Sequence, residues 1–131
     1  MLDFEVIGDE AVPPGGPTAL EIEELCILAL SSAGISEGHL AIEFVDEDRI
    51  RDLNLEYRSV NAPTDVLSFG VDENGASAGP RELGDIVICP AQTEDLREAV
   101  VHGALHLSGM DHETDDGEML ALQSELMRWV E

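Results

Sequence analysis

The chain has 131 residues, 29 of them acidic and six basic, for a net charge of −23, and all six basic residues are arginine. That length suits one domain over residues 1–131 with a real core, while so acidic a surface repels nucleic acid unless salt or a local cation offsets it. No apolar run approaches the ~20 residues that span a bilayer, and the start Met-Leu-Asp-Phe-Glu lacks the basic-then-apolar order of a secretory leader, so the expectation is a cytoplasmic protein with no membrane partner.

Leu2 to Ile7 alternates, with Leu2, Phe4 and Val6 on one side, and predicts a first strand. Pro13, Pro14, Gly15, Gly16 and Pro17 form a loop. Thr18 with Glu21 is a capping-box pattern. It opens a helix whose apolar face is Ile22, Leu25, Cys26, Ala29 and Leu30, and Gly34 supplies the stop. His39 to Val45 predicts a second strand, and Asp46 to Tyr57 a charged helix with Ile50, Leu53 and Leu55 as its apolar residues. Val66 to Val71 and Leu83 to Cys89 predict a third and a fourth strand, joined through the glycine-rich stretch 72–80 as a hairpin with a long tip. Pro90 can open a helix, and residues 91–108 predict one with Leu96, Ala99, Val100, Ala104 and Leu107 facing the core. Asp115 with Glu118 is a second capping box, and Met119, Leu122, Leu126 and Trp129 line a terminal amphipathic helix. The sum is an α+β fold, a small mixed four-stranded sheet packed with four to five helices. Cys26 and Cys89 lie in apolar surroundings and read as reduced core residues.

Three of the four histidines fall within His102-Gly-Ala-Leu-His106-Leu-Ser-Gly109-Met-Asp-His112. On a helix, His102 and His106 share one face a turn apart. Gly109 can take positive φ, end the helix and return the chain, which brings His112 to the first two. A lone helical histidine is usually a surface residue, and His39, at a strand start outside the cluster, is expected to be one too. Three at this spacing, with an open fourth position, form the ligand set of a catalytic zinc site, on the helix-turn that follows the fourth strand. A zinc ion there would lower the pKa of a bound water to about 7 and polarise a carbonyl or phosphoryl oxygen. Each ring also needs an acceptor for its second N–H, for which Asp85 and Asp111 are candidates. The spacing matches the long metalloprotease pattern at every ligand position, but Gly103 stands where the protease has its glutamate base. Glycine moves no proton; its expected use is to leave room beside the metal for a bulky substrate.

The run from His102 to His112 resembles the signature of the YbeY-type endoribonucleases, the rRNA maturation factors. Asn54-Leu-Glu-Tyr57-Arg58, followed by Pro63-Thr64-Asp65-Val66-Leu67-Ser68-Phe69, is similar to that family's central segment, and Leu83-Gly84-Asp85-Ile86-Val87-Ile88-Cys89 to its next strand. The resemblance implies a zinc-dependent, single-strand-specific endoribonuclease. Its work would be ribosomal RNA maturation, at the 3′ end of 16S rRNA, and ribosome quality control, with single-stranded rRNA and the small ribosomal subunit or its proteins as partners. By motif match, His102, His106 and His112 would hold one zinc ion, and Arg58 would sit beside it and grip a phosphate in a forked contact. Thr64, Asp65 and Ser68 would line the same groove or make turn and strand-start hydrogen bonds. Three features depart from the family. Met110 replaces an aromatic residue, the interval from Cys89 to His102 is short, and Arg58 to Pro63 contains no lysine.

Two other readings remain open at the level of sequence. The ligand spacing alone suits a metalloprotease-like metallohydrolase, against which Gly103 argues. The acidic surface suits a ribosome-associated factor with a structural metal, docked on basic ribosomal proteins. If the charge is a salt adaptation, RNA cleavage should be stronger near molar salt, where the Debye length is ~3 Å.

Overall fold

The computed structural model describes residues 2–70 and 82–130. The strands are β1 (Leu2–Ile7), β2 (Gly38–Phe44), β3 (Val66–Gly70) and β4 (Glu82–Ile88); the helices are α1 (Ala19–Ser32), α2 (Glu47–Arg58), α3 (Leu96–Leu107) and α4 (Glu118–Met127). The four strands form one sheet in the order β1-β2-β4-β3. β1, β2 and β4 run parallel, and β3 lies antiparallel on the β4 edge with Val66 opposite Ile88 and Gly70 opposite Gly84. The sheet is therefore mixed, as expected, and β3–β4 is the expected hairpin; the connection at 72–80 lies outside the described residues. No helix among the described residues is long and apolar enough to cross a membrane.

Strand alternation sends β4 side chains to opposite faces. Ile86 and Ile88 join the larger core with α1, α3 and α4, where Ile22, Leu30, Leu40, Ile42, Val100, Leu105 and Met119 are all fully buried. Val87 and Cys89 face the other way, into a smaller core with Ile50 and Leu53 of α2 and Leu67 of β3. Helix α1 begins as its sequence pattern requires: the Thr18 hydroxyl accepts the Glu21 N–H at 3.1 Å, and the five expected residues are the ones buried. Asp46 caps α2 by accepting the Arg49 N–H at 2.8 Å.

Three expectations need correction. The helix expected over 91–108 is shorter: Pro90–Gln92 is a single 3-10 turn, Thr93 is extended, and α3 starts at Leu96 with Asp95 accepting the Glu98 N–H at 3.1 Å. The Thr93 hydroxyl donates to the Cys89 carbonyl at 2.7 Å, which anchors the extended step. In α2 the inward residues are Ile50, Leu53 and Asn54, while the apolar Leu55 is exposed. Positions 50, 53 and 54 share the i, i+3, i+4 stripe, and position 55 falls off it. Gly117, rather than Asp115, is the N-cap of α4; Asp115 still accepts the N–H groups of Gly117 and Met119, and Glu118 accepts that of Asp116. Trp129 does not line α4: it follows the last helical turn in 3-10 geometry, its N–H on the Leu126 carbonyl, and its side chain is 76% exposed.

Candidate metal centre and groove

α3 is the pillar of the site. Its buried residues Ala99, Val100, Val101, Ala104 and Leu105 press it onto the sheet and α1, and Arg97 ties its first turn to Glu21 of α1 through an N–O contact of 2.6 Å. His102 and His106 project from the opposite flank. The helix closes in a Schellman motif: the Met110 N–H bonds the Leu105 carbonyl at 3.2 Å and the Gly109 N–H the His106 carbonyl at 3.0 Å, with Gly109 at φ +105°. A side chain at that φ is strained, so glycine belongs there. The reversed chain brings His112 back. Ring centroids lie 4.7 Å apart for His102–His106, 5.0 Å for His102–His112 and 5.2 Å for His106–His112. One nitrogen from each ring lies within 4.8 Å of the other two, a group that could hold a metal ion.

Two rings are aimed by hydrogen bonds. His102 Nδ1 lies 2.7 Å from Oε1 of Gln123 on α4, and His106 Nδ1 lies 3.0 Å from the Met110 carbonyl. An N–H donated to either oxygen leaves Nε2 with its lone pair for an ion. Burial holds His106 below the ordinary histidine range, and the neighbouring His102 pushes the same way, so the ring is neutral near pH 7. The donor set, its mutual distances and the two oriented rings thus fit a borderline-soft divalent ion. The expected acceptors do not have that role. Asp85 lies on the α2 face of β4, where burial and Glu82 raise its carboxyl pKa. Asp111 lies beside the rings, but its carboxylate accepts the Glu113 N–H at 3.0 Å and so shapes the turn. The position of Gln123 on the edge of the apolar stripe of α4 was its sole sequence trace.

Gly103 also has a different use from the one expected. It is buried, and a Cβ built on it would lie 2.6 Å from Cγ2 of Ile86. Its missing side chain lets α3 approach β4; it opens no room beside the histidines. The same packing leaves no place for a glutamate.

Beside the rings runs a groove of about 530 Å³, lined by Arg58, Thr64, Asp65, Ser68 and Glu113 together with the three histidines. The structure therefore brings together all the residues singled out there from sequence. The Ser68 hydroxyl donates to the Gly103 carbonyl at 3.3 Å, and Asp65 accepts the Val66 N–H at 2.8 Å, so two of them also serve the local backbone. Arg58 is the last residue of α2, half-exposed, with its guanidinium 3.9 Å from the Glu113 carboxylate across the groove. The chain leaves α2 through Ser59 at φ +59°, and the segment that follows is pinned by Asn54, whose amide donates to the Ala62 carbonyl at 2.9 Å. Asn54 is 3% exposed, and its Oδ1 has no partner among the described residues. A polar residue on the apolar stripe of α2 was the available signal for this pin.

The other singled-out groups lie apart from the groove. His39 sits at the start of β2 with Nδ1 3.0 Å from Glu82, which raises its pKa. Cys26 and Cys89 are buried free thiols, the first pushed up to about 12 by burial and the second raised by the same cause.

Residues 19–131 match the family model described as endoribonuclease YbeY. A curated endoribonuclease YbeY of Rubrobacter xylanophilus is 47% identical over 115 residues, covering 82% of this chain and 81% of that protein. One of Macrococcus caseolyticus is 39% identical over 126 residues and covers 82% of each chain. Among solved structures, the solution structure of a Thermotoga maritima protein matches with a TM-score of 0.54 at 24% identity, over 95% of this chain and 87% of that one, a likeness of fold.

Proposed function

The chain belongs to the YbeY endoribonuclease family, and on that footing we propose that it is a zinc-dependent endoribonuclease that cuts single-stranded ribosomal RNA. The observation that carries the proposal is the convergence of three histidine nitrogens within 4.8 Å in the lining of a groove that also holds Arg58. His102, His106 and His112 would hold one ion, with Gln123 and the Met110 carbonyl orienting the first two rings. Bound there, the ion would supply Lewis-acid stabilisation of charge on a phosphoryl oxygen. Arg58 grips a non-bridging oxygen pair of the same phosphate through its fork and leaves Glu113 to do so. A phosphodiester suits this site better than a peptide, because no glutamate can stand at position 103 beside Ile86. The biological setting we propose is cytoplasmic maturation of the 16S rRNA 3′ end and quality control of ribosomes, by one domain over residues 1–131. The net charge of −23 favours a docking contact with basic proteins of the small subunit alongside the RNA contact.

The test pairs metal analysis of purified protein with cleavage of a single-stranded RNA oligonucleotide. The expected result is one zinc per chain, and loss of both zinc and cleavage in His106→Ala. Cleavage that persists in the metal-free variant would end this reading. Co-sedimentation with the small subunit in the absence of any cleavage would favour the binding-factor reading instead.

A further inference from the structure

We propose that Tyr57 is a stacking subsite for an unpaired nucleobase next to the scissile phosphate, a proposal that rests on the RNA substrate argued above. The chain has five Phe, Tyr and Trp rings. Phe44 is buried, Phe4 packs against the larger core, and Trp129 follows the end of α4. Tyr57 is 62% exposed and directly precedes Arg58, the groove's arginine. Phe69 holds the ring edge-to-face at a centroid distance of 5.0 Å and an interplanar angle of 60°.

The placement of Phe69 connects this ring to the histidines. Phe69 lies between Ser68 and Gly70, both of which line the groove. Alternation along β3 sends Ser68 toward α3, where it reaches the Gly103 carbonyl, and Phe69 toward α2 and Tyr57. β3 is an edge strand. A nucleic-acid strand leaving the histidines over that edge would pass Arg58 and then the ring of Tyr57, which stands outside the groove lining itself.

The charges of the groove favour such a contact. Arg58 shares the lining with Asp65, Asp111 and Glu113, which weakens long-range attraction for phosphate. Base stacking needs no charge, survives high salt and tolerates any base. It also selects single strands, because a base within a duplex has both faces covered. A ring already fixed by Phe69 loses little rotamer freedom when a base settles on it. A tyrosine kept only to pack on Phe69 would be more deeply covered than this one.

The experiment uses metal-loaded full-length protein and a defined single-stranded RNA oligonucleotide. Tyr57→Ala should raise KM about tenfold, a loss within the range of one stacked base, with a much smaller change in kcat. Tyr57→Phe should recover most of that loss. The ratio of KM values should stay constant from 0.1 to 1 M KCl, and it should collapse toward one on an oligonucleotide carrying an abasic ribose beside the cleavage site. A merely structural role would impair intact and abasic substrates alike, and that result would overturn the proposal. Binding is read separately from catalysis in a Tyr57→Trp, Trp129→Phe chain titrated with a 2′-O-methyl oligonucleotide, where stacking should quench the indole. Quenching without any cleavage by wild-type protein would sink the nuclease reading and keep the subsite. Cleavage with an unchanged KM in Tyr57→Ala, or absence of quenching, would sink the subsite.

Discussion

The two faces of the sheet hold the two halves of the site in different ways. On the α3 face, the histidines stand on a helix pressed into the larger core and braced by α1 and α4. On the α2 face, Arg58 and Tyr57 stand at the end of a helix anchored by Ile50 and Leu53 and by one buried asparagine whose Oδ1 has no partner among the described residues. A metal ligand set tolerates little error in position, and deep packing limits such error. A phosphate grip and a stacking ring can adjust to a flexible strand, and the lighter support leaves that freedom. Damage on the first face should therefore show in metal content, and damage on the second in turnover or substrate affinity.

The sharpest separation is expected from Arg58→Ala. Loss of a charge-stabilising donor at a transferring group lowers kcat by roughly a hundred- to a thousandfold. Zinc content should be unchanged, because Arg58 is not one of the three converging ligands. Lysine at 58 should recover only part of the rate, since an ammonium lacks the fork. Zinc lost together with activity in Arg58→Ala would mean that the two faces are not separable. Gln123→Ala is the reciprocal case. It removes the oxygen 2.7 Å from His102 Nδ1, and metal affinity should fall about 10- to 100-fold, as for other oriented ligands. Turnover at saturating zinc should stay close to wild type. A competition titration against a chromophoric chelator measures the first quantity, and an unchanged dissociation constant would remove Gln123 from the site.

A smaller effect, on stability, is expected from Gly103→Ala. Alanine improves helix propensity by about 1 kcal/mol. Against that, its Cβ would lie 2.6 Å from Cγ2 of Ile86, a fully buried residue with nowhere to retreat. Overpacking of this kind costs about 1–3 kcal/mol, so the net change should be destabilising by about 1 kcal/mol, with zinc bound less tightly as α3 lifts from β4. Denaturant unfolding reads the sign. A more stable Gly103→Ala would show that the helix has slack against the sheet and would undercut the rigid-pillar account.

These positions also show how far the sequence could be read. The four strands, the start and apolar face of α1 and the return of His112 were legible, because alternation, capping and a glycine after a helix are local signals. The start of α3 was not: Pro90 suits a helix N-terminus, but the Thr93 hydroxyl bound to Cys89 and the Asp95 cap decide otherwise. Gly103 was visible only as a missing side chain, and what it makes room for depends on Ile86 in a different strand. Gln123 and Asn54 escaped notice because each acts across a distance that no spacing in the chain encodes. Trp129 keeps the spacing of the α4 stripe but stands beyond the end of the helix at Met127, a boundary the apolar pattern does not mark.

The smallest effect concerns two ion pairs, one on each side of the sheet, which respond to pH in opposite directions. The Arg97 hydrogen bond, joined by its charge, holds the Glu21 carboxyl below the usual carboxylate range, with burial opposing. A folded pKa below the unfolded one adds stability above the unfolded carboxylate range, and that stability disappears as pH falls through the folded value. The Glu82 hydrogen bond raises the pKa of His39. That contribution is complete below the unfolded histidine pKa and disappears as pH rises through the folded value. Both are present together only in the window between the ordinary glutamate and histidine ranges, near pH 5–6. The Arg97 and Glu21 side chains are 29 and 31% exposed, so solvent screens the pair and its effect stays below that of Gly103→Ala. Unfolding midpoints between pH 3.5 and 8 should fall on both sides of this window, with Glu21→Gln flattening the acid limb and His39→Gln the alkaline limb. A midpoint that climbs steadily to pH 8 in wild-type protein would mean that the His39–Glu82 contact contributes nothing. An acid limb untouched by Glu21→Gln would detach the first turn of α3 from α1, and with it one support of the pillar under the histidines.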